Sequence, residues 1–349
     1  LDRRPLALDG SHGEGGGQVL RTALALAVAL ARPVRLERIR ARRRNPGLRP
    51  QHQTVVRALA GVSDAVVEGD EIGSTAVSFA PRGLRGGEYR FDVGAERGSA
   101  GSVSLLFQAL LLPLCVARAP SRLTLIGGTH VPWSPSVHYL NRVFLPALRR
   151  AGVDASVELR RWGWYPAGEG EIGATVAPSP AITGLARLAA PPSPIEGLSA
   201  VSRLPRSIAE RQHRQALERL ERAGLGGAIA IEEDVTARGP GTVLFLAVPG
   251  RAGFAALGRR GLPAERVADE AADQLLAWIQ SGAEVDDHLA DQIVPFLALA
   301  SGPSAFTCPT LSAHLRTVAW VIQQFLPVRI DLREGTPSRV EIAPGGLAF

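Results

Sequence analysis

One histidine near the end of the chain stands where imidazole chemistry could be done. Within TCPTLSAHLRTVAWVIQQFL, residues 307–326, the spacing predicts a helix from near Ser312 with His314 in its first turn. His314 shares a face with Thr317, Val318, Val321 and Ile322, the i, i+3, i+4, i+7 pattern of a core-facing stripe. Such a position suits a packed histidine as readily as a reactive one. Composition sharpens the choice, because the chain has no lysine and all 39 of its Lys/Arg positions are arginine. Arginine stays protonated near neutral pH and does not attack. A covalent nitrogen nucleophile, if the protein uses one, must then be a histidine.

Three further stretches hold chemistry-bearing residues. In SHGEGGGQVLRTALALAVALA, Gly13, Gly15, Gly16 and Gly17 precede a helix that is apolar nearly all round. Glycines at a helix start let backbone N–H groups surround an anion, although a tight turn uses the same residues. Glu14 inside the loop and Arg21, the one ionisable group in the apolar run, favour a site, since a charge in such company is rarely there for packing. Walker A chemistry is excluded because it needs a lysine. Next, Arg40, Arg42, Arg43 and Arg44 crowd ahead of the Pro46-Gly47 turn, and His52 opens a helix to about Gly61. Arginines there suit a phosphate backbone or a plain solvated loop. Finally, AEVDDHLADQIVPFLALASG places His288, Asp291 and Gln292 at a helix start, where an Asp either caps the helix or holds a ligand.

The elements that must position these residues follow a recurring order: short strands, a Gly-rich turn, then a mostly apolar helix, at 8–31, 92–118, 124–152 and again after 280. Gln108 is the isolated amide in the second such helix and needs a partner if buried. A helix is expected over 135–151, and strands at Leu6 to Leu8, Val34 to Ile39, Glu88 to Asp92, Arg122 to Ile126 and Val328 to Leu332. Composition shifts at Ala177 to Pro194, a Pro- and Ala-rich stretch that reads as a boundary. Beyond it, Ser207 and Glu210 suggest a capping box for a helix through Ala223. Strands at 228–233 and 242–248 and a helix over 263–281 complete a small α/β module. The fold class is therefore α/β (α+β), with βαββ-type units and helices on one face of each sheet.

At 349 residues the chain exceeds the usual domain of about 100–200 residues, so more than one unit is expected. A net charge of +6 and a pI near 10.4 favour a polyanionic partner such as nucleic acid or nucleotides. Cys115 and Cys308 match no zinc spacing and fit a reduced, cytoplasmic protein. No apolar run reaches the ~20 residues of a membrane span, and no signal peptide is read.

With these stretches assembled, the sequence resembles the RNA 3'-terminal phosphate cyclase family. The matching segments are LDGSHGEGGGQVLRTALAL, IRARRRNPGL with Gln51 and His52, GSAGSVSLLFQ, GGTHVPWSP, WGWYPAGEGE, HLADQ and SAHLRTVAWVIQQFLPVR. The resemblance implies a large catalytic domain, residues 1–183 and 281–349, of three repeated βαβαββ-like units, with a smaller α/β domain, 184–280, inserted. It implies ATP-dependent conversion of an RNA 3'-terminal phosphate to a 2',3'-cyclic phosphate through an enzyme-histidine-AMP intermediate, with His314 as nucleophile. ATP would lie against Gln108, Pro135, Phe254, His288, Leu289, Ala290, Asp291 and Gln292, with Asp291 toward the ribose or orienting the imidazole. Glu14 would hold a divalent metal, Mg or Mn, and Arg21, Arg40, Arg43 and His52 would face the RNA terminal phosphate. Self-association as a homodimer stays open. Two other readings do too: a non-catalytic rRNA-processing factor of the same fold, and an enolpyruvyl transferase, whose anionic substrates usually recruit the lysines missing here.

Overall fold

The computed structural model describes residues 4–94, 100–186 and 194–344. Gly98 and Ser99 of the second Gly/Ser turn, part of the Ala177–Pro194 stretch and both termini lie outside them. The first stretch runs β1 (Leu6–Asp9), α1 (Gly17–Ala29), β2 (Val34–Glu37), α2 (Pro50–Ser63), β3 (Val66–Glu68) and β4 (Val77–Ala80). Its sheet has the order β1-β2-β4-β3, with β1 parallel to β2 and the other pairs antiparallel. Val34 and Leu36 are buried while Arg35 and Glu37 face water, the period-two alternation of a half-buried strand. The second stretch runs β5 (Glu88–Asp92), α3 (Val103–Cys115), β6 (Ser121–Gly127), α4 (Val137–Tyr139), a π turn at Leu140–Phe144, α5 (Leu145–Arg150), β7 (Ala155–Arg161) and β8 (Gly170–Val176). Its order, β5-β6-β8-β7, and its pairing senses copy the first sheet.

Then come β9 (Ile195–Ser202), α6 (Arg206–Arg222), β10 (Gly227–Asp234), β11 (Gly241–Val248), β12 (Ala252–Leu257) and α7 (Ala264–Ser281). They build a sheet β10-β9-β11-β12 whose helices bury a core drawn wholly from residues 195–283. The chain ends with α8 (Asp287–Leu297), β13 (Ser304–Cys308), α9 (Ala313–Phe325), β14 (Arg329–Arg333) and β15 (Ser338–Ala343), the strands ordered β13-β15-β14. A larger core joins the other three sheets, and α1 sits in it, packed on α2, α3 and α9. Every residue of α1 from Val19 to Val28 except Arg21 is buried, which explains a helix that is apolar all round.

One local expectation fails. Helix α6 is preceded by Pro205 with no side-chain cap, so Ser207 falls inside the first turn, and Glu210 pairs back to Arg206 at 3.1 Å rather than capping. The start of the Pro-rich stretch packs on the larger core: Ile182 and Leu185 are buried, and Leu185 hydrogen-bonds to Ser304 and Ala305. Residues 187–193 of that stretch are outside the described residues. Among the described residues no helix is long and apolar enough to cross a membrane.

Candidate active site

Glycines ahead of α1 let side chains from three other segments close on its N-terminus. Gly13 and Gly15 have φ of +59° and +60°, a region glycine enters without a Cβ clash. A Cβ on Gly17 would stand 2.3 Å from His52 Nε2, and one on Gly16 2.8 Å from an Arg43 guanidinium nitrogen. Ring and guanidinium thus crowd a helix N-terminus, whose free N–H groups favour an anion. From the other side, Thr317 of α9 accepts from the Glu14 N–H at 3.3 Å and donates to the Ala313 carbonyl at 2.6 Å.

Ser312 caps α9, accepting from the Leu315 N–H at 3.0 Å. His314 leaves the packed stripe that its spacing suggested: Thr317, Val318, Val321 and Ile322 are buried, whereas the His314 side chain is 46% exposed and lines a cavity of about 410 Å³. Its Nε2 lies 2.8 Å from Glu14 Oε2. The two are not aligned as a hydrogen bond, so Oε2 is a buried acceptor left unused, while Oε1 pairs with Arg43. Burial lowers the His314 pKa against the pull of Glu14, and Arg21, His288 and Arg43 lower it further. The imidazole is therefore neutral, and nucleophilic, at pH 7.

The same cavity gathers Arg21, Gln108, Pro135, Phe254, His288, Asp291 and Gln292. Gln108 Nε2 donates to Gln292 Oε1 at 2.7 Å, so each isolated amide is the other's partner. Leu289 and Ala290 are fully buried behind the wall and do not line it. Arg21 donates to Gln18 Oε1 at 2.8 Å; burial lowers its pKa to about 10, with Asp291 and Glu14 opposing. Burial, with Asp286 adding, raises the Asp291 pKa well above the usual carboxylate range, and Arg21 counters. Among the described residues no hydrogen bond joins Asp291 to His314; the carboxylate beside the imidazole belongs to Glu14.

The basic residues divide in a way that their spacing does not reveal. Arg40 turns inward, donating to the carbonyls of Asn45 at 2.8 Å and Gly47 at 2.9 Å, so it pins the loop. His52 Nδ1 accepts from the Arg49 N–H at 3.3 Å, and burial beside Arg21, Arg40 and Arg49 drives its pKa down to about 3. It is a neutral ring, offering a donor at Nε2 rather than a positive charge. Arg43 stays at the surface against Glu14.

Several positioning residues escaped the reading by type and spacing. Helix α8 is capped by Asp286, not Asp291: its carboxylate accepts from the Leu289 N–H at 2.7 Å, the Gly253 N–H at 2.9 Å and the Tyr139 hydroxyl at 3.0 Å. Asp287 accepts from the Thr310 N–H and hydroxyl, both at 2.9 Å, and so fixes the loop that leads to His314. The doublet Asp286-Asp287 was visible, but its partners lie in distant segments. Tyr139 sits beside a π turn, a helix irregularity frequent at functional sites.

A divalent ion is compatible with this arrangement. Among the described residues no three His, Cys, Asp or Glu side chains converge into a cage. Glu14, however, offers one buried, unused carboxylate oxygen, and an ion such as Mg²⁺ commonly takes one or two carboxylates with the remainder from phosphates and water.

The sequence profile described as RNA 3'-terminal phosphate cyclase matches residues 12–332. An RNA 3'-terminal phosphate cyclase of Methylococcus capsulatus is 47% identical over 337 residues, covering 94% of this chain and 93% of that protein. One from Methanopyrus kandleri is 42% identical, covering 98% and 99%. Among solved structures, EPSP synthase from Acinetobacter baumannii aligns with 98% of this chain and 48% of its own, at 11% identity and a TM-score of 0.31, a likeness too low to bear on the fold. Cavity, glycine loop and sequence agreement over nearly the full length lead to one assignment: the chain belongs to the RNA 3'-terminal phosphate cyclase family.

Proposed function

We propose that the protein converts the 3'-terminal phosphate of an RNA into a 2',3'-cyclic phosphate, consuming ATP and passing through a His314 adenylate. His314 attacks the α-phosphorus of ATP, the bond to the β-phosphate oxygen breaks and pyrophosphate leaves. An oxygen of the RNA terminal phosphate then displaces the imidazole, taking the AMP. Lastly the vicinal 2'-hydroxyl attacks the terminal phosphorus, loses its proton and expels AMP. The order answers a chemical difficulty: a phosphate monoester dianion has no good leaving group, and AMP supplies one. Ring closure costs little entropy because both reacting groups share one ribose.

The observation that carries this reading is the neutral imidazole of His314, 2.8 Å from the Glu14 carboxylate, on the wall of the cavity that holds Arg21, Gln108, Asp291 and Gln292. In it, Gln108, Pro135, Phe254, His288, Asp291 and Gln292 line the nucleotide site, and Leu289 and Ala290 support α8 from behind. Glu14 takes up Mg or Mn, which when bound neutralises phosphate charge. Arg21 and Arg43 offer charge to the RNA phosphate, His52 a neutral donor, and Arg40 holds their loop. We read the three sheets around α1 as repeats of one unit, the third lacking a first strand, with residues 184–280 inserted. A purely RNA-holding role would leave the cavity beside His314 unexplained.

End-group analysis decides the matter. A 3'-phosphorylated RNA oligonucleotide incubated with the protein, ATP and Mg²⁺ should become resistant to phosphatase and carry a cyclic end. Ends that stay fully phosphatase-sensitive would rule the reading out.

A further inference from the structure

Between β6 and α4 the chain makes a short excursion, GGTHVPWSP, with Trp133 at its tip. The indole is 99% exposed, the most exposed of the large hydrophobic side chains among the described residues. Trp133 also has φ of +57°, a left-handed conformation that bulky residues seldom adopt and that persists only where the surroundings hold it. The surroundings do hold it. Before the tip, the Thr129 and His130 N–H groups donate to the Gly163 carbonyl at 2.9 and 3.0 Å, and the His130 ring stacks on Trp162 at 4.3 Å. After it, the Ser134 hydroxyl donates to the Val131 carbonyl at 3.1 Å and Ser136 caps α4. The loop is anchored at both ends and presents its largest ring to water.

Location gives this exposure a use. Trp133 stands on the rim of the cavity that contains His314 and Arg21. The deep wall of that cavity is already apolar, with Leu105, Ala109, Phe144 and Phe296, and can bury a base without help from an exposed ring. A polynucleotide whose end reacts inside must leave over the rim into solvent. There a flat aromatic face stacks on any base, whatever its sequence. Tyr165, 67% exposed, lies on the loop bridged to this one through His130 and Trp164, so a second ring continues outward.

We infer that Trp133 is a stacking platform for a nucleobase near the 3' end of the RNA, a positioning residue for the polynucleotide rather than for ATP. The inference rests on the function proposed above. Its test is steady-state cyclisation of a 3'-phosphorylated oligonucleotide by the wild type, Trp133→Ala and Trp133→Phe, with parallel reactions on oligonucleotides abasic at the terminal or the penultimate position. We expect Trp133→Ala to raise KM for RNA about tenfold or more, with kcat little changed and Trp133→Phe largely restored. On the oligonucleotide lacking the stacked base, wild type and Trp133→Ala should converge. An unchanged KM for RNA overturns the inference, as does a rise confined to KM for ATP, which would make the ring a cover for the nucleotide. A wild type that cyclises no RNA end would instead refute the proposed function.

Discussion

Burial, with Arg21 and Arg43 close by, holds His314 neutral, and that has a measurable sign. Its pKa lies below the ordinary 6.5, so protonation, which would block attack, sets in only at lower pH. Adenylylation of the protein by ATP should fall on acidification with a midpoint below pH 6.5; a midpoint at or above 6.5 would contradict the assignment. Gly17 gives a second test at this scale. Replacing it with alanine puts a methyl 2.3 Å from His52 Nε2, and the helix cannot yield as easily as the ring. Gly17→Ala is expected to cut turnover of RNA ends about tenfold or more while the protein stays folded; unchanged turnover would remove His52 from the site. His314, Asp291 and Gln108 were legible in the sequence because each is a polar group in an apolar run. The partner of His314 was not, because Glu14 lies 300 residues away and only the packing of α9 on α1 joins them.

Helices and strands were legible wherever one period dominated. Helices α1, α3 and α7 follow from long apolar or amphipathic runs, while β12, with the sequence AGFAAL, has too little β-branched content to declare itself. The cap of α8 stayed open in the sequence because either Asp286 or Asp291 suits the role by type, and only the three contacts that the Asp286 carboxylate accepts decide it. Asp286→Ala would leave the Tyr139 hydroxyl and the Gly253 and Leu289 N–H groups without an acceptor. We expect a loss of about 3 kcal/mol or more in urea unfolding, and a loss under 1 kcal/mol would show that water takes over those contacts. Helix α4, which follows the Trp133 loop, makes its own pH signature. Burial lowers the His138 pKa from 6.5 to about 4, so the unfolded chain takes up a proton first and stability falls as pH drops from 7 toward 4. Between pH 7 and 5 this group should account for on the order of 2 kcal/mol. Unfolding curves of His138→Phe should lack that share; equal pH dependence in both proteins would mean that the ring is hydrated.

Across the whole molecule, charge without lysine describes how the protein meets a polyanion. Net charge is +6, carried on arginines, many of them in ion pairs with carboxylates at the surface. Exposed pairs contribute little to stability, so the excess charge is better read in RNA affinity. Replacing Arg43 with glutamine should weaken RNA binding and reduce the slope of log affinity against log salt by about 0.7, the share of one single-strand phosphate contact. An unaltered slope would leave Arg43 as a partner of Glu14 alone. At this scale the sequence conveyed a mixed α/β chain of several small sheets, but not that three sheets share one core around α1, which depends on contacts between segments far apart in the chain.

The most direct measurement is transfer of label from ATP marked in its α-phosphate. The wild type should acquire an acid-labile, alkali-stable tag, and His314→Ala should acquire none. A tag retained in that variant, or none on the wild type with ATP and Mg²⁺ present, would contradict a histidine adenylate at this site.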